Sequence, residues 1–311
     1  MRLAIQYEKN STGKSKFVQR LIPALRDLGV KIVDKKPDIT LGLSYWKEKP
    51  KGKKVIRIDG IHIEKDRKYN WRRKIIRQTI KHSDGVIYQS KFAHDMVRKI
   101  LNVKGKKEFV IFNGANPDDY NVDPAKSNYT KNVIISGRYA TDSVRPHKRV
   151  KEMVQIAKEY TETHQDVCFW FCGKTVNERS KNPQIVYTGD LPERKIRKHL
   201  VMADVMLNIC YWDWCPNSVV EALVAGTPVI CSNFGGVPEI VNWYGKTLHL
   251  DTQPLKPKLQ KNNPPKIDNN IVIEALDCMF NLNINYRVRP RHLYIDTIAR
   301  QYKQAFEEVL K

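Results

Sequence analysis

Two carboxylates, Asp213 and Glu221, stand eight residues apart in the stretch Trp212–Gly236, among mostly apolar neighbours. A carboxylate is costly to remove from water unless donors surround it. Two readings follow: a charge satisfied by the start of a helix, or an acceptor for the hydroxyls of a ligand. Pro216 fixes the chain entry, Asn217 and Ser218 are expected to cap a helix beginning near Val219, and Glu221 then falls in its first turn. The amides of Asn217, Ser218 and Val219 would face a phosphate there. Gly235-Gly236 supplies a second turn of close backbone approach.

Cations cluster on another segment. In "SGRYATDSVRPHKRV", Arg138, Arg145, Lys148 and Arg149 crowd a loop and the start of a helix. Helix N-termini disfavour cations, so the crowding implies an anion, and a diphosphate fits; a solvated charge run is the plainer alternative. The earlier "EKNSTGKSK" resembles a phosphate loop only superficially, because the first glycine that such a loop needs is Glu8. The backbone at Gly13 remains open to a polar substrate. A further loop, "RIDGIH", carries Asp59, Gly60 and His62 at the end of a strand pattern. The chain has no Cys-x-x-Cys, and its six cysteines read as reduced core thiols and not as a disulfide frame or zinc site.

Short apolar runs at 39–43, 55–58, 85–88 and 109–112 predict strands, with helices over 67–82 and 91–101. After the polar stretch 113–132 the pattern restarts: strands at 133–135, 167–171, 185–187, 205–209 and 228–231, and a helix over 148–163. Alternating strands and helices predict α/β architecture with doubly wound parallel sheets. The division expected is a short basic domain over 1–122, a second domain over 123–290, and a C-terminal helical segment, 291–311, packing back toward the first. Residues 252–270 read as a surface excursion. Ligands in such sheets bind beyond the carboxyl ends of the strands.

The formal charge of +22 is uneven: 29 Lys/Arg against 13 Asp/Glu in residues 1–122, and 26 against 20 in the remainder. An excess of this kind favours anionic partners, whether acidic lipid, phosphorylated substrate or nucleic acid, or simply keeps the protein soluble. With no leader pattern and no apolar run near the roughly 18 residues of a membrane span, a cytoplasmic protein is expected; the basic cluster Lys65 to Lys81 reads either as a face that meets the phosphates of an anionic membrane or as a solvated helix face, and its Tyr69 and Trp71 read as core side chains ahead of interfacial ones.

Asp213 and Glu221, followed by "ALVAGTPVI" and "GGVPEIV", together resemble the acidic signature of retaining glycosyltransferases of family four. "Ser136-Gly137-Arg138" with "His147-Lys148-Arg149", "Asn113-Gly114" and "Tyr187-Thr188-Gly189" extend the resemblance. It implies the GT-B fold, two facing Rossmann-like domains with a cleft between them, and metal-independent transfer from a UDP- or GDP-type sugar to a glycan or lipid-linked acceptor. Its implied catalytic residues are Arg138, Lys148, Asp213 and Glu221. Donor contacts fall on Gly137, Arg149, Leu191, Asn217, Ser218 and Val219, with Glu221 on the ribose hydroxyls, and Asp213 stands where most members carry glutamate. The acceptor side falls on Gly13, Asp59, Gly60 and His62. No nucleic acid is expected, although a nucleic-acid-binding protein using the basic half, and a nucleotide-sugar epimerase of the same fold, are the alternative functions.

Overall fold

The computed structural model describes residues 1–7, 13–61, 70–137, 146–173, 179–250, 264–281 and 287–311. Two compact units divide the chain: Met1–Asn116 with Arg291–Lys311, and Pro117–Pro290.

The first unit is a parallel six-stranded sheet in the order β2-β1-β3-β4-β5-β6. Its strands are β1 (Arg2–Gln6), β2 (Lys31–Ile32), β3 (Ile39–Leu43), β4 (Lys53–Ile58), β5 (Gly85–Tyr88) and β6 (Glu108–Val110). β3 and β5 are buried along their whole lengths, as strands covered on both faces must be. Helix α1 (Gly13–Asp27) buries Phe17, Leu21 and Leu25 at helical spacing, and Gly29, with φ +79°, turns the chain out of it. Helices α2 (Asn70–Lys81) and α3 (Lys91–Leu101) follow β4 and β5. The chain returns to this unit as α9 (Ile295–Leu310), which lays Tyr302 against Phe17, ring centroids 5.9 Å apart, and fully buries Phe306. Each such side chain removed from water contributes on the order of 2 kcal/mol.

The second unit repeats the plan with the order β12-β11-β10-β7-β8-β9, again all parallel. Its strands are β7 (Lys131–Ser136), β8 (Val167–Cys172), β9 (Ile185–Gly189), β10 (Val205–Asn208), β11 (Val229–Ser232) and β12 (Gly245–Leu248). The helices are α4 (Val150–Thr163), α5 (Glu193–Met202), α6 (Asn217–Ala225), α7 (Val237–Val241) and α8 (Asn269–Asn281). Winding runs outward from β7 through β8 to β9, and then resumes at β10 on the other side of β7. The loops after β7 and β10 therefore part at the sheet's carboxyl edge, where ligands of such sheets bind. Among the described residues, no helix is long and apolar enough to cross a membrane.

Candidate functional site

The loop after β10 is held by its own backbone. Tyr211 N–H donates to the His147 carbonyl at 2.8 Å, and Ser232 Oγ donates to the Cys210 carbonyl at 2.7 Å. Gly236 N–H donates to the Asp213 carbonyl at 2.8 Å. Gly235 permits that approach: its φ is +92°, and a Cβ there would meet the Asp213 backbone at 2.9 Å. Loops from β7, β10 and β11 are thus tied together with Asp213 at the centre.

Asp213 uses one carboxylate oxygen, Oδ1, to accept the Trp214 N–H at 2.7 Å; the other forms an ion pair with Lys148 Nζ. Both side chains remain about a fifth exposed, 22% for Lys148 and 21% for Asp213. Burial pushes the Asp213 pKa up, but the Lys148 charge and hydrogen bond and the Trp214 amide outweigh it, and the carboxyl titrates below its ordinary range. An ammonium and a carboxylate, both charged at neutral pH and both reachable from solvent, sit where the winding reverses. Burial lifts the neighbouring Cys210 thiol to about 11, which leaves it protonated at neutral pH and poor as a nucleophile.

Helix α6 departs from expectation at its start. It begins at Asn217, with Pro216 as the residue before it and no side-chain cap. The Pro216 carbonyl accepts the N–H groups of Val219 at 3.2 Å and Val220 at 3.3 Å. Asn217 and Ser218 are therefore the first two helical residues instead of its caps, and the Val219 amide is committed to Pro216. Pro216 itself is extended, φ −69° and ψ 127°, as a residue just before a helix is, while its carbonyl already accepts the first intrahelical bonds. Glu221 is the fifth helical residue, beyond the first turn, and half-buried.

Arg149 also departs. It adopts the left-handed conformation, φ 52°, just before α4, and its guanidinium is fully buried. There it donates to the carbonyls of Pro265 at 2.9 Å and Ile209 at 3.4 Å and lies 5.2 Å from the centroid of the Tyr211 ring. It braces the loop from beneath and presents no surface to a diphosphate. Gly137 donates its amide to the Cys172 carbonyl at 3.2 Å, and Leu191 sits half-exposed in the turn between β9 and α5. Arg138 and Arg145 lie outside the described residues, as does His62.

In the first unit, the expected acceptor-side residues Gly13 and Asp59 approach one another through Lys14, the second residue of α1. Lys14 Nζ donates to Ser44 Oγ at 2.7 Å and lies 3.6 Å from Asp59 Oδ2. Asp59 pairs more closely with Arg57, a residue the motif reading passed over. Arg57 is 1% exposed, donates to Asn113 Oδ1 and, at 3.2 Å, to Gln89 Oε1, and lies 4.2 Å from the Phe17 ring centroid. Its signal was an arginine at a core position of a strand otherwise apolar, "VIRI". Gly60, with φ 115°, follows directly.

Residues 130–253 match the family model "Glycosyl transferases group 1". A Bacillus subtilis protein named as a teichuronic acid biosynthesis glycosyltransferase is 36% identical over 69 residues, 22% of this chain and 17% of that protein. The chain thus matches about a sixth of that relative's length. Among solved structures, sucrose-phosphate synthase from Thermosynechococcus elongatus aligns over 99% of this chain and 98% of its own, with a TM-score of 0.70 at 14% identity. The Anabaena protein HepE, solved in complex with UDP, aligns over 99% of each chain with a TM-score of 0.69 at 12% identity. The fold is that of GT-B glycosyltransferases.

Proposed function

We propose that this chain, whose second unit carries a group 1 glycosyltransferase domain, transfers a sugar from a nucleoside-diphosphate sugar to a glycan or lipid-linked acceptor. The observation that carries the proposal is the Lys148–Asp213 pair at the reversal of the second sheet, inside the stretch that matches the family. Breaking the anomeric carbon–oxygen bond leaves about one further negative charge on the diphosphate. Lys148, Arg138 and the first amides of α6, those of Asn217 and Ser218, take up that charge; each well-placed contact is worth roughly 10² to 10³ in rate. Asp213 holds the Lys148 ammonium in position and faces the transferred sugar, while Glu221 accepts the ribose hydroxyls. These cations and the helix end suffice without a metal, and the acceptor hydroxyl bonds to the anomeric carbon on the face the leaving group vacates while its proton passes to the departing diphosphate, retaining configuration. A UDP-type donor is favoured, since HepE was solved with UDP. The acceptor is assigned to the first unit beside Gly13, Asp59, Gly60 and His62.

A calorimetric titration with UDP- and GDP-sugars tests the donor assignment. The wild type should bind one class, and Glu221→Ala should bind it at least tenfold more weakly with an unchanged melting temperature. Equal affinity in the two proteins would remove Glu221 from the site. Product analysis separates transfer, which releases nucleoside diphosphate, from epimerisation, which keeps the nucleotide sugar whole. Activity unaffected by a chelator is the result expected of the metal-free reading.

A further inference from the structure

Helix α2, "NWRRKIIRQTIK", carries Arg72, Arg73, Lys74, Arg77 and Lys81 and no acidic residue. It anchors to the first unit through Ile76, Thr79 and Ile80, which are buried. Two large apolar side chains nevertheless point away from that core: Trp71 is 53% exposed and Ile75 39% exposed. Four residues apart, they share one face of the helix, and Lys74 and Gln78 continue that face one turn on. Arg72 lies with its guanidinium 5.2 Å from the Trp71 ring centroid. Beside Ile75, a groove of about 430 Å³ opens between α2 and Trp46, lined also by Lys74, Gln78, Thr79 and His82.

A helix that merely faces water has no use for an exposed indole and isoleucine, and a phosphate-backbone binder needs the cations but not the isoleucine. A lipid interface uses both at once. Apolar side chains enter the boundary between headgroup and acyl chain, while long basic side chains reach up to the phosphates. The charge excess of residues 1–122, 29 basic against 13 acidic, complements a surface of anionic lipid. We propose that α2 docks the first unit onto an anionic bilayer, with Trp71 and Ile75 inserted and Arg72, Lys74, Arg77 and Lys81 on lipid phosphates. The proposal needs no donor or acceptor, so it stands or falls separately from the transfer reaction.

Sedimentation of the full chain with vesicles tests it. Binding should appear with vesicles containing phosphatidylglycerol, be far weaker with phosphatidylcholine alone, and fall as salt is added. Each cation near such a surface is worth about fivefold in affinity, so replacing Arg72, Lys74 and Arg77 together by Gln should weaken binding about a hundredfold. The double variant Trp71→Ala with Ile75→Ala should weaken it about tenfold while leaving the melting temperature unchanged. In the wild type, brominated acyl chains should quench tryptophan emission, and Trp71→Tyr should bind yet lose most of that quenching. Equal binding to neutral vesicles, undiminished binding by the double variant, no quenching in the bound wild type, or RNA that displaces the vesicles would each overturn the proposal.

Discussion

Each unit sets a lysine against an aspartate at the carboxyl edge of its sheet, and the two pairs are built for different ends. In the first, Asp59 is 5% exposed and its closest partner is Arg57, 1% exposed and further held by Asn113, with Gln89 at 3.2 Å; Lys14 touches only the rim, at 3.6 Å. In the second, Lys148 is the direct partner of Asp213, and both keep about a fifth of their side-chain surface. One carboxylate is neutralised within the core, where its charge serves the fold. The other is neutralised at the surface, where an incoming anion can compete for the ammonium.

The largest effect expected from that contrast is on stability. Arg57→Met should leave Asp59 buried with the half-exposed Lys14 as its remaining partner among the described residues and cost about 3 to 5 kcal/mol, as removal of one partner of a buried pair does. Chemical denaturation of the full chain would show it as loss of the transition belonging to the first unit. Adding Asp59→Asn should recover a large part of the loss, because the stranded charge disappears. A variant as stable as the wild type would mean that Arg57 is no more essential than a surface cation.

At the second pair, stability should respond less and activity more. Lys148→Met removes a charged hydrogen bond worth about 1.5 to 3 kcal/mol at most, reduced by the partial exposure of both partners. Because the folded pKa of Asp213 is lowered, its contribution is fully present above the unfolded carboxyl value, about 4, and is lost as pH falls through the folded value. In the variant, burial acts without its main opponent and raises the carboxyl. As pH falls from neutral toward the carboxyl range, the melting temperature of Lys148→Met should therefore hold or rise while that of the wild type falls, so that the gap between the two narrows with acid. Turnover should drop by roughly 10² to 10³, with a smaller fall in donor affinity, since the charge that Lys148 meets develops only as the bond breaks.

Much of the frame was legible before any coordinates. β3 and β5 occupy the predicted 39–43 and 85–88, because strands buried on both faces read as unbroken apolar runs. β2, two residues long, is too short to show any periodicity. The start of α6 was misread by two residues because capping preferences point to Asn217 and Ser218, whereas the backbone of Pro216 closes the turn without a side chain. Arg149 was misread for a different reason. Three basic residues in a row give no sign of which turns inward, and only the left-handed backbone at Arg149 sends its guanidinium under the loop while Lys148 stays at the surface. Lys148 and Asp213, 65 residues apart, are joined by the reversal of winding between β7 and β10, which the alternation of strands and helices does not encode.

The smallest effect sharpens the comparison most. Lys14 is 48% exposed and 3.6 Å from Asp59, so its attraction is screened by water and worth about 0.2 to 1 kcal/mol. Lys14→Ala should shift the melting temperature only slightly, with the shift shrinking further as salt is added. Lys148→Met, tested beside it, should lose more stability and resist salt better, because its partner contact is closer and drier. If the two variants lost stability equally and with the same salt dependence, exposure would not be what separates these pairs. The arginine beneath Asp59 would then have to be weighed as a packing residue against the Phe17 ring, 4.2 Å away, before it is counted as a counter-charge.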